Sequence, residues 1–299
     1  MSWPACASPS RRTSRPVLAS KESVMSTSSV QVETRGAVAL VTLNRPETAN
    51  TLNLEMGMDL LAAAMTCGRN PAVRAVVLTG AGRQFCFGGD LRAIAAKGDG
   101  ADGYLRELTG YLHSAISHFV RMDAPVIAAV NGTAAGAGVG LVAMADLAVC
   151  GESSKFSLAY TGVGMTPDAG TSFLLPRTIG VKRTMELLLL NRALTSGEAL
   201  EWGMVNSVVE DSQVLDEALR MADRLSSGAT HAFGKTKRLL AASIAGFESQ
   251  MVLESETIAS QAVTQEGAEG INAFLEKRKP DFSVGRAGRG RGSREADDE

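Results

Sequence analysis

The sequence predicts an α/β protein with a C-terminal helical region, on three grounds. Short apolar runs with strand character alternate with segments whose apolar residues recur every three or four positions, the pattern of parallel crossover units. Glycine-rich turns follow two of the strand-like runs, Gly80–Asp90 and Asn131–Gly140. Beyond Gly164 the chain turns helical.

Val38–Leu43 alternates as a strand, Leu54, Met58, Leu61 and Met65 form a helical stripe ending near Gly68, and Arg74–Thr79 is the next strand. Leu105, Leu108, Leu112, Ile116 and Phe119 keep helical spacing, so a long helix precedes a central strand starting after Pro125. Val126, Ile127 and Val130 make that strand apolar and β-branched, Asn131 and Gly132 its turn, and Ala135–Ala145 a helix opening on small residues. Later helices are expected at Met185–Leu190, Ser196–Trp202, Val214–Leu225, His231–Ala245 and Met251–Thr264. The stripe Val214, Ala218, Ala222, Leu225 is narrow and the later helices are lightly apolar, so they are expected to pack on the α/β body or on another subunit. Residues 1–29, rich in Ser, Arg and Pro, read as a disordered arm, 30–210 as the α/β body with the site, 211–283 as the helical region and 284–299 as a disordered Gly- and charge-rich tail.

With 299 residues, 45% of them hydrophobic, the chain can bury a sizeable core. A formal charge of −2 leaves no electrostatic footprint for nucleic acid, and no apolar run reaches membrane-spanning length. A short RGG-like tail that ends acidic is the one feature favouring RNA contact. Cys6, Cys67, Cys86 and Cys150 are far apart with no C-x-x-C pair, so neither disulfide nor zinc is indicated and a reducing, cytoplasmic setting is expected. Of His113, His118 and His231, the first two do not share a helix face, so neither a metal pair nor a Ser-His-Asp triad is indicated. Proton chemistry falls to carboxylates and tyrosines, with no metal or redox cofactor expected.

Small residues at Gly136, Ala137, Gly138 and Gly140 let another molecule approach the backbone where the first N–H groups of a helix lack internal partners. We read this as half of an oxyanion site. A dinucleotide fingerprint fits poorly, because Leu141 stands at the third glycine and Asp146 comes too early for the ribose acid; a helix packed tightly on a strand with no ligand is the plain alternative. Gly88 and Gly89 before Asp90 read as a tight turn into a short helix, which exposes backbone donors again. Two such turns in adjacent crossover units can place two N–H groups on one oxygen.

NRPETANTL (44–52), VVLTGAGRQFCFGGDL (76–91), APVIAAVNGTAAGAGVGLVAMAD (124–146), GMTPDAGTSFLLPRTIG (164–180) and FLEKRKPDF (274–282) run in the order seen in the enoyl-CoA hydratase/isomerase, or crotonase, superfamily, which the chain resembles over about 250 residues. The resemblance implies a spiral of ββα units, a C-terminal helical region that assembles trimers or hexamers, and acyl-CoA thioester substrates. Motif by motif it puts the two oxyanion donors on the N–H groups of Gly89 and Ala137, flanked by Gly88, Asp90 and Gly136. The two glutamates of family hydratases would fall at Gly140 and Tyr160, so neither is present. Asp168, in TPDAG, matches the P-[DE]-x-G acid of family isomerases, and the surrounding text is closest to 1,2-epoxyphenylacetyl-CoA and 3-enoyl-CoA isomerases.

A single carboxylate can take a proton from one carbon and return it two atoms away, as a double-bond shift requires. Burial beside Val163, Met165 and Phe173 is expected to raise the pKa of Asp168. Without the family, Asp168 reads first as a helix N-cap, and both roles can coexist. Tyr160 is a substrate-binding candidate, whether pocket wall, donor or core; Cys86 and Phe87 are expected to shape the acyl pocket. The resemblance implies that the segment holding Arg45, Thr48 and Ala49 passes the adenine and pantetheine of coenzyme A, with Lys277 as a further basic contact; solvated surface charge is the alternative for each basic residue. The expected activity is double-bond or ring-opening isomerisation, with hydration, thioester hydrolysis or silent acyl-CoA binding as alternatives.

Overall fold

A computed structural model describes residues 28–242 and 246–281; Cys6, most of the expected N-terminal arm, the tail from residue 284 and Phe282 of the last motif lie outside them. Strands β1 (Val30–Arg35) and β2 (Val38–Leu43) form a hairpin, and α1 (Leu54–Arg69), β3 (Ala75–Gly80), the short α2 (Leu91–Ala95), α3 (Ala101–Arg121) and β4 (Val126–Val130) follow. Next come β5 (Ala134–Ala135), α4 (Ala137–Ala143), β6 (Leu147–Gly151), β7 (Lys155–Ser157), α5 (Thr171–Thr178), α6 (Val181–Leu190), β8 (Leu194–Thr195), α7 (Ser196–Glu201) and β9 (Ser207–Val209). Helices α8 (Val214–Ser226), α9 (Thr230–Ala242), α10 (Phe247–Ala262) and α11 (Gln265–Leu275) complete the described chain.

The main sheet has six strands in the order β1-β2-β3-β4-β6-β9. Only the β1–β2 pair is antiparallel; β2 to β9 run parallel, as right-handed crossovers through helices require. A second sheet joins β5, β7 and β8. Because side chains alternate along a strand, Val38, Leu40, Ala75, Val77, Ile127, Ala129 and Val149 form one face, which Val214, Ala218 and Ala222 of α8 cover. The opposite face, including Val41, Val76, Leu78 and Ala128, packs into the larger core with Leu60, Leu112, Ile116 and Phe119 of α1 and α3. Each such fully buried Leu, Ile or Phe contributes about 1.5–3 kcal/mol. Phe247, Met251, Ile258 and Ile271 join this core, so α10 and α11 pack on the body, the first of the two placements expected for the lightly apolar helices.

Three expectations need correction. Helix α1 buries Met56, Gly57, Leu60, Ala63, Ala64 and Cys67 rather than the bulky stripe, and Met58 is 41% exposed. Asn53 caps the helix by accepting from Met56 N at 2.9 Å and so sets its phase, while the small residues admit α3 so closely that a methyl group on Gly57 would lie 3.1 Å from Leu108. The glycine-rich helix spans only Ala137–Ala143, because Gly136 at φ 51°, ψ −125° cannot be helical. Strands β1, β5, β7, β8 and β9 and helices α5 and α11 add to the elements expected from pattern alone. No helix among the described residues is long and apolar enough to cross a membrane.

Candidate active site

The loops leaving the carboxyl ends of β3 and β4 meet, the usual position for a site in a parallel sheet. Asn131 stitches them together: its side chain donates to Gly80 O at 2.8 Å and Gly82 O at 3.0 Å and accepts from Gly80 N. Asn50, fully buried, donates to Ala81 O, Gln84 O and Phe85 O and accepts from Arg45 N, which ties the segment after β2 to the same loop. Neither asparagine drew attention as a site residue; in sequence each is a polar residue in a turn, with no mark of what it holds.

Residues 49–52 run beside 87–90 as a strand-like pair. Phe87 N donates to Ala49 O at 3.1 Å, Leu52 N to Gly88 O at 2.7 Å and Asp90 N to Leu52 O at 2.9 Å. Alternation then turns Gly89 N–H to the opposite side, where it has no hydrogen-bond partner among the described residues. Across from it, Ala135 N donates to Cys86 O at 2.8 Å and Gly136 N to Ser157 O at 2.8 Å; Ala137 N, the first of α4, is also without a partner among the described residues. The two turns approach backbone to backbone: a methyl group on Gly88 would lie 2.8 Å from Ala135 O and 3.1 Å from Ala137 N. Gly88 holds φ 76°, open to glycine and costly for other residues.

The acid lies next to this pair of turns. Tyr160 OH donates to Asp168 Oδ1 at 2.6 Å, and a methyl group on Gly136 would lie 3.8 Å from Tyr160 Cζ and 3.7 Å from Gly88 Cα. Asp168, Tyr160, Gly136 and Gly88 are therefore contiguous, with Cys86 close enough to feel the Asp168 charge. Burial pushes the Asp168 carboxyl up to about 6, opposed by the hydrogen bond from Tyr160, and Tyr160 is itself held protonated by burial and by the neighbouring carboxylate. The capping alternative fails: α5 begins after Gly170 with no side-chain cap, and the Asp168 carboxyl faces Tyr160 instead. Met165 and Phe173 are buried, as expected, and Val163 half-buried.

Other expected site residues are engaged differently. Arg45 pairs with Asp90 at 3.2 Å and donates to Thr51 O at 2.7 Å, and Asp90 also caps α2 through Ala93 N. Both ends of that pair brace the Gly88–Gly89 loop; the geometry here gives them a structural part rather than a free surface for a ligand. Thr48 donates to Arg45 O and Ala49, at φ 54°, closes the same turn. Phe87 is 43% exposed beside the loop, and Lys277 is exposed just past the end of α11, which packs on α2. No group of three or more metal-ligating side chains occurs among the described residues.

Position 140 explains a missing residue. A Cβ there would meet Ala169 O at 2.6 Å and Ala169 Cβ at 2.7 Å, so the turn after Asp168 fills the space that any side chain on residue 140 would need.

The sequence matches the enoyl-CoA hydratase/isomerase family across residues 33–285. It is 36% identical over 249 residues to the 1,2-epoxyphenylacetyl-CoA isomerase of Escherichia coli (strain K12), spanning 82% of this chain and 95% of that one. It is 37% identical over 260 residues to a probable enoyl-CoA hydratase of Rhodobacter capsulatus, spanning 87% of this chain and 99% of that one. The fold superposes on the crystal structure of an enoyl-CoA hydratase from Mycobacterium avium subsp. paratuberculosis K-10 with a TM-score of 0.77 at 29% identity, covering 85% of this chain and 98% of that one.

Proposed function

Because the chain belongs to the enoyl-CoA hydratase/isomerase family, we propose that it is an acyl-CoA isomerase in which Asp168 carries a proton along the acyl chain while Gly89 and Ala137 hold the thioester oxygen. The observation that carries the reading is the buried Asp168–Tyr160 pair set against two turns whose amides have no internal partner among the described residues. Asp168 as carboxylate takes a proton from the carbon next to the thioester carbonyl. The electron pair moves onto the carbonyl oxygen, and the two N–H groups stabilise that charge. The protonated Asp168 then gives its proton back two carbons further on, which moves the double bond. A pKa near 6 suits both halves of this exchange better than an ordinary carboxylate, which is too weak a base. Only protons move, so no metal or redox cofactor takes part, and coenzyme A belongs to the substrate. Ring-opening of an epoxide conjugated to such a thioester can use the same enolate.

Assembly into trimers or hexamers is part of the proposal. The exposed apolar residues Val181, Met185, Leu189 and Leu190 of α6 are surface that assembly can bury.

Isomerisation of a 3-enoyl-CoA and hydration of a 2-enoyl-CoA, measured side by side on one preparation, test the activity. Efficient hydration with no isomerisation rejects the reading. Gly140→Glu, which restores a family glutamate by type, is expected not to create hydration; it overpacks the Ala169 turn and lowers stability by about 1–3 kcal/mol or more, read by chemical denaturation.

Tyr160→Phe tests how the acid is tuned. The lost hydrogen bond favoured the carboxylate, so its removal raises the Asp168 pKa above about 6. The low-pH limb of kcat/KM, expected to be half-maximal near pH 6 in the parent, then moves to higher pH. A limb that stays in place or moves down contradicts Tyr160 as the donor that matters.

A further inference from the structure

The turn that carries Asp168 is held in an unusual shape. Ala169 sits at φ 55° and Gly170 at φ 71°, two successive left-handed residues, the first of them not a glycine. A non-glycine residue there costs about 1–2 kcal/mol and persists only when its surroundings impose it. Two buried polar side chains from helices distant in sequence supply that constraint. His113 of α3 accepts from Ala169 N through Nε2 at 3.1 Å. Glu254 of α10 accepts from Gly170 N at 2.7 Å with one carboxyl oxygen and from Ser172 N at 3.1 Å with the other, which the Ser172 hydroxyl also reaches. His113 and Glu254 are 7% and 3% exposed.

An acceptor nitrogen on His113 requires the neutral ring, and burial holds its pKa down at about 4, so the ring stays neutral at working pH. Burial pushes Glu254 up to about 7, against the pull of its three donors. Burying both costs energy that an apolar pair of similar size does not. Together they fix the direction of one peptide turn, whose first residue is Asp168, and His113 also hydrogen-bonds the Met251 backbone, tying α3 to α10.

We propose that His113 and Glu254 are positioning residues: together they lock the Asp168-Ala169-Gly170 turn so that the Asp168 carboxyl faces Tyr160 and the oxyanion turns. They touch neither substrate nor reacting atoms in this scheme, and act through Asp168. The inference rests on the isomerase reading for its kinetic arm only.

Glu254→Gln preserves size but turns an amide NH2 toward one of the N–H donors, and His113→Leu leaves Ala169 N–H unpaired. Each is expected to lower kcat for 3-enoyl-CoA isomerisation at least tenfold with KM within twofold of the parent. In an Asp168→Asn background the same changes are expected to cost less than twofold, because the group they position is gone. A kcat within twofold of the parent, or an equal loss in both backgrounds, overturns the proposal, since a merely structural role gives additive losses. If circular dichroism shows these variants unfolded, Ser172→Ala, which removes one donor to Glu254, is expected to lower kcat two- to fivefold, and parental kcat overturns the proposal.

Carbon-13 NMR of the aspartate carboxyls, with Asp168 assigned by Asp168→Asn, reads the turn without turnover. The titratable groups around Asp168 are Tyr160, Cys86, His113 and Glu254. His113→Leu, which removes no charge because the buried ring is neutral, is expected to move the Asp168 midpoint down from about 6 as the loosened turn admits water. An unmoved midpoint overturns the positioning role. A parent enzyme that fails to isomerise any 3-enoyl-CoA while this NMR shift is present rejects the activity and leaves the positioning intact.

Discussion

Asp168→Asn is expected to remove double-bond migration almost completely, lowering kcat for a 3-enoyl-CoA by about 10²–10⁴-fold, the range for a positioned general base. Asparagine keeps the size of the side chain and can still accept from Tyr160 OH, now bonded at 2.6 Å, so the turn and the fold survive. It cannot take up a proton from carbon. Affinity for the CoA ester is therefore expected to change little, and the loss falls on kcat. Stopped or steady-state assays of isomerisation, with ligand binding measured by calorimetry on the same variant, separate the two. Turnover within a factor of a few of the parent removes Asp168 from the mechanism.

Gly88→Ala is expected to be nearly as damaging by a different route. Its methyl group needs space 2.8 Å from Ala135 O and 3.1 Å from Ala137 N, and its φ of 76° disfavours any Cβ. The two turns have to part, and with them the amides of Gly89 and Ala137. Loss of one such donor costs about 10²–10³ in rate in other oxyanion sites. Both isomerisation and any hydration are expected to fall together, because both need charge on the thioester oxygen, while the Asp168 pH limb stays near 6. The left-handed backbone adds about 1–2 kcal/mol of destabilisation, visible as a lower denaturation midpoint. An enzyme with normal kcat/KM after this change denies the paired-amide site.

Much of this architecture was readable from short segments. Val126–Val130 is apolar at every position because both faces of its strand are covered, and Ala101–Arg121 buries the expected Leu105, Leu108, Leu112, Ile116 and Phe119. The glycine-rich turns were conspicuous because only glycine tolerates such close backbone approach. Asp168 stood out through its motif. By contrast, the bulky stripe of α1 misled, since the buried face runs through Met56, Gly57, Leu60, Ala63, Ala64 and Cys67, and Gly57 meets Leu108 of α3 because it carries no side chain. Glu254 lies in a helix with other acids, Glu248 and Glu256; its one mark in the sequence is the helical spacing that puts it in line with Phe247, Met251 and Ile258, where the exposed acids are not.

Short-range pattern settled the α/β class and the central strands with the helices between them, and marked two glycine-rich turns and one acid as candidates, because periodicity and the steric demand for glycine are properties of a few adjacent residues. Only the tertiary structure decided what surrounds them. Arg45 meets Asp90 across 45 positions, Ala169 meets His113 across 56 and Gly170 meets Glu254 across 84. Whether a carboxylate is a base, a brace or a solvated charge depends on which groups exclude water from it, and that is fixed by helices brought together from opposite ends of the chain.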